Sequence, residues 1–232
     1  MILTSYGAFR MRTIPTIIFV LLTLNLFSQQ KEWTGDTNFW YNYQKKINDN
    51  LDLKDLSKSK LPFAFRISAL NTILEIWTED GKTFLGQQIV FTTTSKVNSE
   101  NLNLLSRKEM INKDTTELIE NMINYYELQN LQIQDSIEGW GHGFDGTIFL
   151  IEFATPMTYS FKSYWTPTAF PSVPEAVKLS EFISKIDELL KLNQKFDNFI
   201  KSLPTDMSYR YGNAWTTIRP NKKIKKKKKN AP

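Results

Sequence analysis

Three segments of alternating apolar and polar residues, separated by short turn signals, constrain the fold more than any other feature of the sequence. The first reads FAFRISA from Phe63, with an apolar side chain at every second position, which is the period of a strand with one buried face. TILEIW and FLGQQIVFTTT follow, and Asp80-Gly81 between them is a favoured hairpin turn pair. These segments predict a three-stranded antiparallel meander.

The segments on either side of the meander predict helices and one further hairpin. Helical periodicity indicates a short amphipathic helix near 37–49 and a second helix that begins at Asp114. TIFLIEFA and TYSFKSYW predict two strands joined across 155–157, and a last long helix begins near Pro174 and ends before Pro204. The expected fold is α+β: an antiparallel sheet of about five strands, the meander plus the hairpin, with two or three helices packed on one face.

The N-terminal residues have the organisation of an export signal, and residues 1–28 are interpreted as a signal peptide. A positively charged segment precedes the apolar run 14–27, which is shorter than the roughly 20 apolar residues of a transmembrane helix. The small residue Ser28 provides a cleavage point, and translation starts at either Met1 or Met11. We expect an exported protein, periplasmic or extracellular, and an uncleaved membrane anchor is the alternative.

The net charge of +5 comes from the two ends of the chain. Ten of the 29 basic residues lie in the signal peptide or in residues 219–232, which leaves 19 basic against 24 acidic residues in 29–218. This mildly acidic body is expected to form a single α+β domain, and its charge excludes nucleic acid as a partner. The lysine-rich tail, 219–232, is expected to be disordered and to contact anionic membranes weakly.

The chain has no cysteine and a single histidine, His142. Without thiols it has no cysteine nucleophile, no thiolate zinc site and no iron–sulfur cluster. One histidine does not supply the two or three that histidine-rich zinc sites require. No metal site and no cofactor are therefore predicted.

The glycine-rich stretch EGWGHGFDGT, residues 138–147, places carboxylates on both sides of the histidine. If the protein is an enzyme, Glu138, His142 and Asp145 are its candidate catalytic residues, although no G-x-S-x-G nucleophile motif accompanies them. The alternative is a tight turn, because Asp145-Gly146 directly precedes an apolar strand and glycine takes positive φ without steric cost. The turn explains more of the residues, so Asp145 and Gly146 are assigned a structural role and no catalytic residue is assigned.

Aromatic side chains are concentrated in this loop and in the strand that follows it. Trp140 and Phe144 are expected to fix the loop to the core. Rings on an exposed strand face stack against sugar rings or a peptide, whereas rings beneath a helix are part of the core. The candidate binding residues are Trp140, Tyr159, Phe161, Tyr164 and Trp165.

Two patterns in this region, G-W-x-x-G-x-D-G-T from Gly139 and Y-S-F-K-x-Y-W-T-P from Tyr159, resemble small exported bacterial proteins of unassigned function. The resemblance covers about 30 residues and implies no activity. It implies that Trp140, Asp145, Gly146 and the strand up to Pro167 form one structural unit.

These observations favour an exported, non-catalytic protein that binds another protein or a cell-envelope polymer. An immunity or inhibitor protein of the periplasm is one form of this interpretation. The alternative is a carboxylate-dependent hydrolase that acts on envelope polysaccharide or peptide, which requires two carboxylates about 5–10 Å apart in a cleft.

Overall fold

The strands and helices described below come from a computed structural model, which describes residues 32–35, 39–96, 103–204, 207–212 and 214–217. The predicted signal peptide, 1–28, and the predicted tail, 219–232, lie outside the described residues. In the described part of the chain no helix has the length and apolar character needed to cross a membrane.

Nine strands of the described residues form one sheet in the order β1-β7-β6-β2-β3-β4-β8-β9, and β5 also pairs with β4. Their bounds are β1 (Glu32–Gly35), β2 (Phe63–Ala69), β3 (Thr72–Thr78), β4 (Phe84–Lys96), β5 (Asn103–Ile111), β6 (Ile148–Ala154), β7 (Thr158–Trp165), β8 (Met207–Tyr211) and β9 (Ala214–Thr217). β1 runs parallel to β7, and the other pairs are antiparallel. The sheet is therefore mixed.

Four α-helices in the described residues cover both faces of this sheet: α1 (Phe39–Asn50), α2 (Lys113–Tyr125), α3 (Pro174–Leu190) and α4 (Leu192–Lys201). Helices α2 and α3 pack over the face that carries Phe65 and Ile67, and α4 extends this layer over Val90. Helix α1 lies on the opposite face, where Ile47 packs against the cluster that contains Ile73.

The predicted fold, a five-stranded antiparallel sheet with two or three helices on one face, is wrong. The predicted meander (β2–β4) and hairpin (β6–β7) both form, and they join directly because β6 pairs with β2. The four additional strands had no clear signal in the sequence. In β5 most side chains are exposed and the sequence RKE occupies its centre, so no alternation of buried apolar residues marks it.

The predicted last helix is two helices, because the chain turns at Lys191. Lys191 has a φ of +54°, a left-handed conformation that ends α3 and starts α4. The turn directs Phe196, Phe199 and Ile200 toward Val90 of β4, where they form a separate apolar cluster. Tertiary packing of these rings thus accounts for a break that helical periodicity alone does not indicate.

The second face of β2 is buried as well as the first. The alternation in FAFRISA predicts an apolar face toward the core and a polar face toward solvent, yet the central five residues of the strand are all buried. Helix α1 and the connector 51–62 cover the polar side, which carries Arg66 and Ser68. A buried polar layer therefore lies between α1 and the sheet.

The turn that precedes β6 depends on close backbone approach at Gly146. Gly146 has a φ of +151°, and a Cβ at this position would overlap the Thr166 hydroxyl and come within 2.8 Å of Trp165 Nε1. Gly141 in the same loop has no such restriction, because the nearest atom to a Cβ there is 3.9 Å away, on Phe170. These two glycines provide a matched pair for testing the turn.

We expect Gly146→Ala to lower the free energy of unfolding by about 1–3 kcal/mol, because the added methyl group forces the loop away from the end of β7. Gly141→Ala should change it by no more than about 0.5 kcal/mol. Urea denaturation of the two variants and the wild type measures both values. Equal midpoints for the two variants would contradict a turn held by close approach.

Candidate functional site

The glycine-rich loop does not bring the three candidate catalytic residues together. Glu138, His142 and Asp145 are all exposed. His142 Nε2 lies 2.7 Å from Asp135 Oδ1, and its Nδ1 lies 3.1 Å from the side-chain amide nitrogen of Gln134. In the described residues, no hydrogen bond or ion pair joins His142 to either of its predicted partners. The histidine thus forms an exposed pair with a carboxylate that the sequence did not single out.

Four of the five candidate binding aromatics lie in the interior of the protein. Tyr159, Phe161, Tyr164 and Trp140 are no more than 4% exposed, and Trp165 is half-buried. The indole of Trp140 stacks on the Tyr164 ring with their centroids 5.2 Å apart. The four buried rings therefore contact other protein groups and do not form an exposed binding face.

The loop contacts the end of β7. Trp140 Nε1 donates to the Trp165 carbonyl at 2.9 Å, and the Thr147 amide donates to the Thr166 hydroxyl at 3.0 Å. Phe144, in contrast, is fully exposed, so its predicted anchoring role is wrong. Among the two predicted anchors, Trp140 alone fixes the loop to the core.

A row of polar side chains crosses the sheet beneath α1, and Arg66 is at its centre. Arg66 on β2 lies in register with Glu75 on β3 and with Glu152 on β6. Its Nε donates to Glu75 Oε1 at 2.7 Å, its Nη1 donates to Glu152 Oε1 at 2.8 Å, and its Nη2 donates to the Lys54 carbonyl at 2.8 Å. Burial lowers the pKa of Arg66, but the two carboxylates raise it above its ordinary value, so the guanidinium remains charged.

Both glutamates have protein donors on each carboxylate oxygen. Glu152 Oε1 accepts a second hydrogen bond from Asn48 Nδ2 at 3.0 Å, and its Oε2 accepts from the Tyr159 hydroxyl at 2.9 Å. Burial and the nearby Glu152 charge raise the pKa of Tyr159, which keeps the phenol protonated as a donor. Glu75 Oε2 accepts from the Gln87 amide. The two buried negative charges are therefore compensated by the protein itself.

A cavity of about 250 Å³ opens at the Glu75 end of this row. Its floor is formed by strands β2 to β4, its roof by the connector after α1, and one side by Lys108 of β5. It reaches the surface beside Asp52 and Lys54, which are both exposed. The lining residues whose side chains carry a charge, an amide or an indole are Asp52, Lys54, Glu75, Trp77, Gln87 and Lys108.

Three contacts hold the connector over this cavity. Lys108 Nζ donates to the Leu51 carbonyl at 2.6 Å, and Arg66 binds the Lys54 carbonyl as described above. Asp55 Oδ1 accepts from the Ser57 amide, and its Oδ2 accepts from Lys45 Nζ of α1 at 2.9 Å. Burial raises the pKa of Asp55, but the Ser57 and Lys45 hydrogen bonds lower it to about 2. The cavity is thus preformed, which is typical of ligand sites.

The polar groups at the site fall into two sets: buried carboxylates that bind other protein groups, and side chains that line the cavity. The buried carboxylates are committed to Arg66, Asn48, Tyr159 and Gln87. Among the described residues there is no group of three or more histidine, aspartate or glutamate side chains placed to hold a metal ion. The cavity lining offers one indole, one side-chain amide and several charged groups.

The sequence reading missed Arg66, Glu75, Trp77 and Gln87 as site residues. The signal was present, because each of three consecutive strands contains a charged or amide residue, Arg66, Glu75 or Gln87. Polar residues that alternate with apolar ones in a strand are usually solvent-exposed, so the pattern alone does not distinguish these residues from an open sheet face. Their burial depends on α1, whose placement the sequence pattern does not specify.

Comparison of the sequence with known protein families gave no match, and comparison with curated proteins found no similar protein.

We expect Arg66→Met to lower the free energy of unfolding by about 3–5 kcal/mol, because it leaves Glu75 and Glu152 buried without their counter-charge. Arg107→Met is the control: Arg107 lies on the exposed strand β5, and its replacement should cost less than about 1 kcal/mol. Chemical denaturation at neutral pH measures both effects. Equal free energies of unfolding for the Arg66 and Arg107 variants would contradict a stabilising role of the buried Arg66 ion pairs.

Proposed function

We propose that this protein is exported and non-catalytic, and that it binds a component of the cell envelope, either another protein or an envelope polymer, in the cavity beside Glu75. The observation that carries the proposal is the preformed cavity itself, in which fixed polar groups and the indole of Trp77 share one wall with apolar side chains. Small-molecule and polymer-end sites commonly combine these elements.

The geometry gives less support to the alternative, a carboxylate-dependent hydrolase. Glu138, His142 and Asp145 are exposed on a loop, with no contact of His142 to either carboxylate among the described residues. The buried pair, Glu75 and Glu152, has a guanidinium between its members where a hydrolase needs room for substrate and water. Binding without turnover is the function that fits both arrangements.

Export is supported by the sequence of residues 1–28, and it predicts a processed N-terminus. When the full chain is produced in a Gram-negative host, the mature protein should begin between about Leu26 and Gln30. Mass spectrometry of the protein from the periplasmic fraction and from the membrane fraction measures this directly. An intact N-terminus on membrane-bound protein would favour an uncleaved anchor and contradict export as a soluble protein.

We expect the mature protein to co-sediment with insoluble envelope polymer or to capture envelope proteins from an extract, without releasing soluble fragments. Trp77→Ala should weaken binding at least about 30-fold, because a tryptophan in the centre of a binding site commonly contributes 2 kcal/mol or more. Trp215→Ala, which removes an exposed tryptophan on β9, should leave binding unchanged. Equal retention of both variants would exclude the cavity as the site. Release of sugars or peptides that stops in His142→Ala would favour the hydrolase.

A further inference from the structure

We propose that the cavity binds one neutral sugar ring, as the end or a side branch of an envelope glycan. The inference rests on the proposed function and specifies the chemical class of the ligand. It follows from three properties of the cavity: the balance of its charges, the surface of Trp77 and the combination of hydrogen-bond donors and acceptors around it.

The charges that line the cavity balance each other. Asp52 and Glu75 are acidic, and Lys54 and Lys108 are basic, so the formal charges of the lining side chains sum to zero. A carboxylate, phosphate or amine on the ligand would add a charge for which the lining has no excess counter-charge, and an uncompensated charge is costly in a partly buried site. The site therefore favours a ligand without net charge.

Trp77 supplies a flat apolar surface on the floor of the cavity. Its cross-strand neighbour on β2 is Ala64, and the indole packs against the apolar cluster that contains Leu56 and Ala64. Within the described residues, Trp77 makes no ring contact with another aromatic side chain, and its side chain is only half-buried. A sugar ring presents a face of C–H groups that packs on such a surface as other apolar groups do.

Donors and acceptors stand close together beside this surface. The side-chain amide nitrogen of Gln87 donates to Glu75, while the side-chain oxygen of Gln87 accepts no hydrogen bond from any described residue. Lys108 Nζ donates to the Leu51 carbonyl and has further donor capacity. Hydroxyl groups both donate and accept, so a polyol satisfies this mixture. An alkyl chain of similar size would leave the same groups without partners.

The volume of the cavity limits the ligand to about one ring. Sites for drug-sized ligands usually enclose roughly 300–1,000 Å³, and this cavity encloses about 250 Å³. The opening beside Asp52 and Lys54 leaves room for the rest of a glycan to extend into solvent. A terminal or branching unit is therefore the part that enters.

A charge series of small sugars tests this inference with the mature protein. Glucose, galactose, mannose and N-acetylglucosamine are titrated as neutral probes, and glucuronate and glucosamine as charged ones, by calorimetry and by chemical-shift changes. We expect at least one neutral sugar to bind with a Kd of the order of millimolar, as ligands of about a dozen heavy atoms do. The charged analogues should bind at least about tenfold more weakly. Failure of every neutral sugar, or equal binding of the charged analogues, would overturn the proposal.

Two pairs of variants locate the sugar. Trp77→Ala and Gln87→Leu should each abolish detectable sugar binding, whereas Trp215→Ala and Gln132→Leu, both at exposed positions, should retain it. Trp77→Phe keeps a ring in place and should retain part of the affinity, which provides a readout if the alanine variant is poorly folded. Sugar binding that persists in all cavity variants would place the ligand elsewhere and contradict the proposal.

The outcome separates the sugar inference from the broader function. If envelope material is retained through Trp77 but no neutral sugar binds or competes, the ligand class is wrong and the binding function stands. If neither envelope material nor sugar binds the wild type, both the proposed function and this inference are wrong.

Discussion

The ion pairs that Arg66 makes with Glu75 and Glu152 are the interaction on which the centre of the structure depends. The three residues face one another on β3, β2 and β6, so the register of these strands places the two carboxylates on either side of the guanidinium. A slip of one residue would move Arg66 to the apolar face and separate it from both partners. The charges thus fix the alignment of the meander with the hairpin.

The same charges require a cover, and α1 provides it with a polar surface. Gln44 and Asn48, the two buried residues of this helix, face the sheet, and Asn48 donates directly to Glu152. Apolar residues of α1 pack at the margins of this contact, against Phe161 and Ile73. The layer between helix and sheet is therefore a hydrogen-bonded network with an apolar border, in which each buried polar group depends on its neighbours.

The cavity is a consequence of how this network ends. Gln87 on β4 is the last member of the row and donates to Glu75. Arg66 and Lys108 bind backbone carbonyls of the connector after α1, and the space between this connector and Trp77 is the cavity. The groups that line the opening are held by the same bonds that hold the core. The proposed ligand would contact these groups, whose formal charges sum to zero.

The sequence by itself predicted the local elements that show a clear strand or helix periodicity: the meander from Phe63, its Asp80-Gly81 turn, the 148–165 hairpin and the first helix. It also indicated the turn at Gly146, because glycine adopts positive φ without the steric cost that other residues have. Only the tertiary structure decided that the second face of the sheet is buried. A polar residue that alternates with apolar ones in a strand can face solvent or a buried polar partner. Which of the two occurs here depends on whether α1 covers that face of the sheet. The sequence pattern also did not predict the four additional strands or the cavity beside Glu75. Their positions depend on long-range pairing between strands and not on local periodicity.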